Sequence, residues 1–221
     1  MMPILFLAPY RSMADMASSI ANEMGISLAV EVTNDQMAKS VVYKHPSAEV
    51  IISRGGMAEE IKSIEGITVI EVTMSVNDLL NILNAITRKG IKRIGLVSRA
   101  NVFDCTAGDF QIFQTEIYIR SCKDEDEIAS TVLQLHQEGV EAVIGCRVAY
   151  ETAKSCGIVA EFLDSSAVSI RKAIEDAVRI VRAKEQEKLQ AAQLAAIIDN
   201  IEEGIIAVTG DKQVSFCNNL A

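Results

Sequence analysis

The stretch VIISRGG, residues 50–56, places a run of apolar residues directly before an arginine and two glycines. The run Val50–Ser53 lacks polar alternation, which is typical of a strand covered on both faces in a parallel sheet. Glycine lets a backbone come close to a ligand, and the amides that open the following helix form an anion site. The motif therefore predicts ligand contacts from residues 53–56; an ordinary strand-to-helix turn with Arg54 exposed is the alternative.

Three more strand-like runs end beside an arginine in the same way. The runs and their arginines are Ile4–Ala8 with Arg11, Ile94–Ser98 with Arg99, and Ala142–Gly145 with Arg147. Ligands bind in the crevice beyond the carboxyl ends of the strands of a parallel sheet, and arginine grips a carboxylate or phosphate with two parallel hydrogen bonds. The pattern predicts two related halves that face one small anion. At the first run, Tyr10 or Ser12 could point inward instead of Arg11.

The predicted site extends from these arginines to the small polar residues and glycines beside them. Ser98 and Asn101 are neutral hydrogen-bond donors next to Arg99. The predicted ligand-binding residues are Arg11, Ser12, Ser53, Arg54, Gly55, Gly56, Ser98, Arg99, Asn101, Gly145 and Arg147. Because surface arginines are common, an exposed position without a ligand is the competing interpretation for Arg99 and Arg147.

The order of strand-like and helix-like segments predicts an α/β fold. We expect two tandem three-layer α/β/α lobes with parallel four-stranded sheets, residues 1–75 in the first lobe and residues 76–165 in the second. The strands are expected at residues 4–8, 27–32, 49–53 and 68–72, and at residues 94–98, 114–119, 142–145 and 157–163. Helices fill the intervals between strands, and residues 101–110 also have helical leanings.

A long C-terminal helix is predicted over residues 166–198. Its seam positions are spaced alternately four and three residues apart, as in a coiled coil with a weak polar middle. The seam consists of Ile170, Ile174, Ala177, Val181, Lys184, Lys188, Ala191, Ala195 and Ile198. We interpret it as a signalling helix that pairs with its copy in a homodimer. A single helix that packs on its own domain at its start and is solvated later is the alternative.

Charge and composition exclude several classes of function. With 21 Lys and Arg against 30 Asp and Glu, the net charge is -9, which disfavours contact with nucleic acid or an anionic membrane. The five cysteines are widely spaced and accompanied by two histidines, so no disulfide framework, metal site or cofactor is predicted. No apolar run approaches the roughly 18 residues needed to span a bilayer. The protein is expected to be soluble and cytoplasmic, and without a phosphate loop or nucleophile elbow it is not expected to be an enzyme.

Five short segments carry a family resemblance: VIISRGG at 50–56, VIEV at 69–72, IGLV at 94–97, EAVIG at 141–145 and AVSIRKAI at 167–174. In this order they resemble the receptor domain of the propionate-catabolism regulators, which are sigma-54-dependent transcription activators, over residues 1 to about 185. The resemblance implies a bilobal, chelatase-like fold that senses a small organic acid, which is 2-methylcitrate in that family. Such a tricarboxylate would suit an arginine-lined cleft.

Residues 194–221 resemble the opening of a PAS domain, with AIIDNIEEGIIAV at 196–208 and VSFCN at 214–218. We therefore expect residues 199–221 to be a truncated PAS start within a longer regulator. The resemblance implies that the longer protein also carries an ATPase module and a C-terminal helix-turn-helix, and that it acts in phosphorelay signal transduction. DNA, ATP and the sigma-54 polymerase would be bound by those modules and not by this chain.

Taken together, the sequence predicts an effector sensor. An anion enters between the lobes, favours their closure and moves the helix that begins near Ser166. The main rival is a chelatase- or lyase-like enzyme on the same two-lobed scaffold, for which the sequence offers no well-placed histidine or paired carboxylate. A dimerisation module that binds no small ligand is the third interpretation.

Overall fold

The computed structural model describes residues 3–99, 108–112, 114–218 and 220, with the backbone alone for Asn77 and Asp199. The predicted ligand residue Asn101 lies outside the described residues. The chain divides into two compact units, residues 1–177 and residues 178–221. Both large sheets belong to the first unit.

The first sheet is wholly parallel, and its four strands have the order β2-β1-β3-β4. The strands are β1 Ile4–Ala8, β2 Ala29–Val32, β3 Val50–Ser53 and β4 Thr68–Glu71. The helices between them are α1 Arg11–Glu23, a 3-10 turn Asp35–Met37 that continues as α2 Ala38–Tyr43, and α3 Gly55–Ile61. Every residue of β1 and β3 is buried, as expected for central strands covered on both faces.

Helices cover both faces of this sheet. Leu5 and Leu7 of β1 pack in one cluster with Val42 of α2 and Met57 of α3. Phe6, between the two leucines, points to the opposite face because side chains alternate along a strand. The chain steps from β1 to β2 in one direction and from β2 to β3 in the other, so right-handed crossovers put α1 on that opposite face. The first half is thus a three-layer α/β/α arrangement.

The second sheet has the four predicted parallel strands and one more, in the order β6-β7-β5-β8-β9. Its strands are β5 Arg93–Arg99, β6 Phe110–Ile112, β7 Thr115–Cys122, β8 Ala142–Gly145 and β9 Val159–Phe162. Its helices are α4 Val76–Thr87, α5 Glu125–Gln137 and α6 Arg147–Ser155. β6 is a short edge strand, antiparallel to β7. The helical leaning predicted for this segment is wrong at Phe110, because hydrogen bonds to β7 hold these residues extended.

The second sheet is also covered on both faces. On one side, Ile86 of α4 packs with Leu96 and Ile144. On the other side, Val132 of α5 belongs to the cluster of buried residues around Val97. The predicted fold class, two α/β lobes with parallel sheets followed by a long helix, is confirmed.

The parallel strands of the two sheets follow one order. Taken along the chain, each set is arranged second-first-third-fourth, so β1 neighbours β3 and β5 neighbours β8. In the first sheet, the helices that follow β1 and β3 cover opposite faces, which opens a crevice at the carboxyl ends of these two strands. Arg54, Arg99 and Arg147 all stand at or just beyond the ends of such central strands.

The long C-terminal helix, α7, spans Ala167–Asp199. Its first turns pack within the first unit, where Ile170, Ile174 and Ala177 are fully buried. These three seam positions therefore face the lobes, as in the interpretation of a helix packed on its own domain at its start. No helix within the described residues combines the length and apolar character that a membrane span requires.

Side-chain contacts attach the start of α7 to both halves of the first unit. The Ser169 hydroxyl donates to the Asp78 carboxylate, in the first turn of α4, at 3.2 Å. Arg171 pairs with Glu23, the last residue of α1, at 2.6 Å. Any change in the relative position of α1 and α4 must therefore be accommodated at the base of α7.

In the second unit, the remainder of α7 is followed by an antiparallel hairpin of β10 Ile206–Val208 and β11 Val214–Cys217. Asn218 joins the hairpin to the helix end: its side chain donates to the Ile198 carbonyl at 3.3 Å and accepts from the Ile205 amide at 2.9 Å. Many apolar side chains of this unit are exposed, including Leu189, Leu194, Ile197, Ile206, Val208, Val214 and Leu220.

Gly145, a predicted ligand residue, ends β8 in a place that leaves no room for a side chain. A Cβ there would collide with the backbone carbonyl oxygen of Val97 and lie 2.6 Å from the Ala149 Cβ. We expect Gly145→Ala to lower the free energy of unfolding by about 1–3 kcal/mol, the usual cost of overpacking. Urea denaturation followed by circular dichroism measures this change.

Gly108→Ala is the matched control, because a Cβ at Gly108 meets no atom of the described residues within 4 Å. Its effect should stay within about 0.5 kcal/mol. If the two variants are equally stable, close packing does not explain the glycine at position 145.

Candidate functional site

A cavity of about 540 Å³ lies at the carboxyl ends of the strands of both sheets. This volume falls within the roughly 300–1,000 Å³ of small-molecule sites. Its lining includes six of the predicted ligand residues, namely Arg54, Gly55, Gly56, Ser98, Arg99 and Arg147. Guanidinium groups that follow strands of both sheets are therefore brought together in one place.

Arg54 is the buried cation of the cavity, with only 8% of its surface exposed. Its Nη1 donates to Ser165 Oγ at 2.6 Å, and its Nη2 donates to the Leu163 carbonyl at 3.1 Å. Both acceptors belong to the segment that leaves β9 and enters α7, so Arg54 bonds the first sheet to the far side of the cleft. All its hydrogen-bond acceptors among the described residues are neutral, so none of them forms an ion pair with the guanidinium.

Tyr10 occupies the inward position that was considered for Arg11. Its hydroxyl donates to the Asp164 carboxylate and accepts from Arg54 Nη1 at 3.4 Å. Burial raises the pKa of Tyr10 to about 12, so the phenol keeps its proton at neutral pH. Its ring packs edge-on against Phe162 with 5.3 Å between centroids. Tyr10 and Phe162 thereby give the cavity an aromatic wall.

Arg99, at the end of β5, is paired with a carboxylate of the 3-10 turn that follows β2. Its Nη2 lies 3.2 Å from Asp35 Oδ2, and both side chains line the cavity. The pair packs against Gly56, where a Cβ would collide with Asp35 Oδ2 and lie 2.6 Å from Arg99 Cζ. Gly55 has a φ of 57°, a conformation that favours glycine. The backbone conformation favours glycine at position 55, and the absence of a side chain at Gly56 leaves room for the Asp35–Arg99 pair.

Burial raises the pKa of Asp35. The neighbouring Arg99 guanidinium lowers the pKa, while Glu125 raises it further, and burial has the largest effect. The ion pair therefore does not fully compensate the carboxylate for the hydration it has lost.

Arg147 is the most open arginine of the cavity, with 63% of its side chain exposed and Nη1 4.0 Å from Glu151 Oε1. It begins α6, whose N-cap residue, Cys146, makes no side-chain hydrogen bond to the helix start. The first amides of a helix are donors that need acceptors, and they favour anions. Ser98 Oγ, also in the lining, is buried without a hydrogen-bond partner among the described residues. Arg147, the first amides of α6 and the Ser98 hydroxyl can therefore donate hydrogen bonds to an anion in the cavity.

Carboxylates also line the cavity, and sequence reasoning missed their contribution. They are Asp35, Asp124, Glu125 and Asp126. Asp124 caps α5 by accepting from the Glu127 amide at 2.9 Å. The exposed acidic residues beside it interact favourably with the positive end of the helix dipole of α5. Asp35 and the acidic start of α5 follow strand ends too, so the reasoning that singled out the arginines also applies to them. The cavity is mixed in charge, not purely basic.

Four predicted ligand residues do not line the cavity. Arg11 points to solvent, with 82% of its side chain exposed and Nε 3.0 Å from Asp15 in the next turn of α1. Ser12 is exposed beside it. Ser53 Oγ is buried and donates to the Leu7 carbonyl at 3.2 Å. For Gly145, close packing on Val97 accounts for the glycine. The expectation of four converging arginines is corrected to three, because Tyr10 takes the inward place at β1.

Groups suited to catalysis are sparse in the described part of the chain. No cluster of three or more His, Cys, Asp or Glu residues is arranged there to hold a metal ion. His45 lies 3.3 Å from Glu31, and neither residue lines the cavity. The chemistry that the cavity offers is recognition: buried and exposed guanidinium groups, unpaired donors and an aromatic wall.

The chain resembles known proteins in sequence and in fold. A family model described as propionate catabolism activator matches residues 23–187. An NtrC family transcriptional regulator from Clostridium acetobutylicum has a TM-score of 0.67 and 18% identity, covering 83% of this chain and 98% of that chain. An ABC transporter solute-binding protein from Mycobacterium smegmatis with bound glycerol has a TM-score of 0.42 and 14% identity, covering 81% and 88%. At these identities the structural likeness concerns the fold.

Arg54→Met should lower the free energy of unfolding by about 1–3 kcal/mol, because the bonds to Ser165 and Leu163 are lost while the length of the side chain is kept. The measurement is urea denaturation followed by circular dichroism.

Arg11→Met is the control, since that arginine also follows a central strand but is exposed to solvent. Its unfolding free energy should stay within about 0.5 kcal/mol of the original. Equal stability of the two variants would show that the bonds of Arg54 across the cleft do not stabilise the fold.

Proposed function

We propose that this chain, which belongs to the propionate catabolism activator family, is a sensor of a small organic anion and not an enzyme. The effector is a carboxylate of the 2-methylcitrate type, and it binds in the cleft between the two lobes. The lobes are residues 1–75 and residues 76–165. Binding favours a closed arrangement, and α7 relays that closure.

The observation that carries this proposal is the environment of Arg54. The guanidinium is 8% exposed and donates to neutral acceptors, and Asp164 is connected to it only through the Tyr10 hydroxyl. Burying a charge without a direct ion pair costs free energy, and an anion in the same cavity lowers that cost.

The rest of the lining supports a di- or tricarboxylate with an aliphatic part. Arg147 and the uncapped start of α6 offer donors to a second carboxylate, on the opposite side from Arg54. Ser98 offers one buried hydroxyl. Tyr10 and Phe162 provide an apolar wall against which methylene or methyl groups can pack. These features match the chemical class of 2-methylcitrate and citrate better than that of inorganic phosphate.

The contacts around the base of α7 support the proposed relay. Arg54 holds residues 163 and 165, just before α7, while Ser169 and Arg171 attach the helix to Asp78 and Glu23. A ligand changes a conformational equilibrium only by binding one state more tightly than the other. An anion that contacts arginines of both lobes favours the state in which they are closest, and the base of α7 follows that change.

The longer regulator is proposed to continue from residue 199 into a PAS domain, and to carry an ATPase module and a helix-turn-helix elsewhere in the chain. Contacts with DNA, ATP and the sigma-54 polymerase belong to those modules, and the protein acts in the cytoplasm. The net charge of -9 supports the assignment of DNA contact to another part.

Isothermal titration calorimetry with 2-methylcitrate, citrate and inorganic phosphate tests the proposed effector class. We expect the two tricarboxylates to bind more tightly than phosphate. Arg147→Gln should weaken tricarboxylate binding about tenfold, the effect of losing one charge-assisted contact at a partly exposed place.

Arg11→Gln is the matched control, because its guanidinium is 82% exposed and lies outside the cavity lining. It should leave the dissociation constant within about twofold of the original. No tricarboxylate binding, or an equal loss in both variants, would remove the proposed anion site.

We also propose that the later part of α7 pairs with its copy in a homodimer. Residues 185–197 are exposed throughout, among them the seam residues Ala191 and Ala195. A helix with exposed apolar residues along several turns is stabilised when a second helix covers them. The seam positions at this end are Ala191, Ala195 and Ile198.

Ala195→Glu should shift the protein from dimer to monomer, because it places a charge in the seam of the helix pair. Ala196→Glu makes the same change one position away and should leave the dimer intact. Size-exclusion chromatography with light scattering measures the mass of each variant. If the original protein is a monomer at micromolar concentration, or if both variants dissociate, the proposed seam is wrong.

A further inference from the structure

Asp35 and Arg99 form an ion pair across the cavity, from the first lobe to the second. Asp35 Oδ2 lies 3.2 Å from Arg99 Nη2, and the side chains are 35% and 22% exposed. Both residues line the cavity that also contains Arg54 and Arg147. One edge of the Arg99 guanidinium, the surface that would grip a ligand carboxylate, is thus engaged by a carboxylate of the chain itself.

Gly56 accommodates this ion pair because it has no side chain. A Cβ there would collide with Asp35 Oδ2, and it would lie 2.6 Å from Arg99 Cζ and 2.8 Å from Arg99 Nη1. The glycine therefore leaves a space in which a carboxylate meets a guanidinium beside the start of α3. The Asp35 carboxylate occupies this space against the Arg99 guanidinium.

The Asp35 carboxylate is held there without full compensation. Burial raises its pKa more than the Arg99 guanidinium lowers it, and Glu125 and Glu60 raise it further. An ionised carboxylate in such a place recovers hydration when it moves to water. Asp35 begins a single 3-10 turn, so rotation about its own side-chain torsions can move the carboxylate without disturbing a long helix.

We propose that Asp35 is a built-in competitor of the effector: its carboxylate occupies the Arg99 guanidinium until a carboxylate of the effector displaces it. This inference rests on the proposed function and adds the regulation of the same site. An anion with a single carboxylate must displace Asp35 with one contact. A di- or tricarboxylate displaces it while Arg54 and Arg147 hold its other carboxylates. The competition thereby raises the selectivity for multiply charged effectors.

A simple strut between the lobes is the alternative role for this ion pair, and it predicts the opposite effect of mutation. If the pair only stabilises the closed arrangement, its loss opens the cleft and weakens effector binding. If Asp35 competes with the effector, its loss frees Arg99 and strengthens binding, because the binding-competent form is populated more. The sign of the change in affinity distinguishes the two roles.

The experiment is isothermal titration calorimetry of citrate and 2-methylcitrate into the 221-residue protein and its Asp35→Asn variant. Asparagine keeps the shape of the side chain and removes its charge. We expect the variant to bind the tricarboxylates about fivefold more tightly, the effect of removing one competing, partly exposed ion pair. Unchanged or weaker binding overturns the proposal and favours a strut.

Asp15→Asn is the matched control, since the same substitution removes one negative charge and frees the exposed guanidinium of Arg11, outside the cavity lining. It should change the affinity less than about twofold, so an equal gain in both variants assigns the effect to net charge and overturns the competition. In an Arg99→Ala background, Asp35→Asn should give no gain. A gain that persists there shows that Asp35 acts elsewhere.

A second measurement separates this inference from the proposed function. Phenylglyoxal modifies accessible guanidinium groups, and peptide mass spectrometry reports the rate at Arg99 without any effector. We expect Asp35→Asn to raise that rate severalfold and Asp15→Asn, which frees the exposed Arg11 instead, to leave it unchanged. If the rate rises but no tricarboxylate binds to any variant, the proposed effector class is wrong while the shielding of Arg99 by Asp35 stands. An unchanged rate in Asp35→Asn overturns the shielding.

Discussion

The structure depends on one buried cation that bonds across a cleft. Arg54 follows a central strand of the first sheet, yet its donors reach the Leu163 carbonyl and the Ser165 hydroxyl on the far side. Those acceptors directly precede α7. The same guanidinium therefore borders the cavity and supports the base of the long helix. A change in the electrostatics of the cavity at Arg54 therefore acts directly on the residues that lead into the long helix.

Most of the fold was predictable because burial leaves a strong signal in sequence. The runs Val50–Ser53 and Ala142–Gly145 are apolar without alternation, and both are fully buried strands with the predicted ends. Two helices end close to a glycine that cannot continue them well: α1 ends at Glu23 before Gly25, and α4 ends at Thr87 before Gly90. β6 was missed because three residues at a sheet edge, Phe110–Ile112, are too few to show a period. These residues form a strand because they pair with β7, and local sequence preferences do not reveal such a pairing.

The candidate site was predictable in its location and only partly in its chemistry. Arg54, Arg99 and Arg147 lie together because strand order makes the first and third strands of each sheet neighbours. Which residue of a loop turns inward depends on packing, and at β1 it is Tyr10, against Phe162, and not Arg11. The carboxylates were missed because Asp and Glu at a helix start already have a local role, as caps and as favourable charges at the positive end of the helix dipole. Asp35 shows that a residue at a helix start can also reach a cation of the other lobe.

The two sheets repeat one strand order, so Arg54 and Arg147 stand at equivalent places, each after a third parallel strand. Their surroundings have nevertheless diverged: one is 8% exposed and bonded to the opposite lobe, and the side chain of the other is 63% exposed. Two lobes with the same strand order thus present two unlike walls. Under the proposed function, a ligand whose two ends differ would bind in one orientation only, and the pocket would distinguish the chemically similar arms of a branched or prochiral acid.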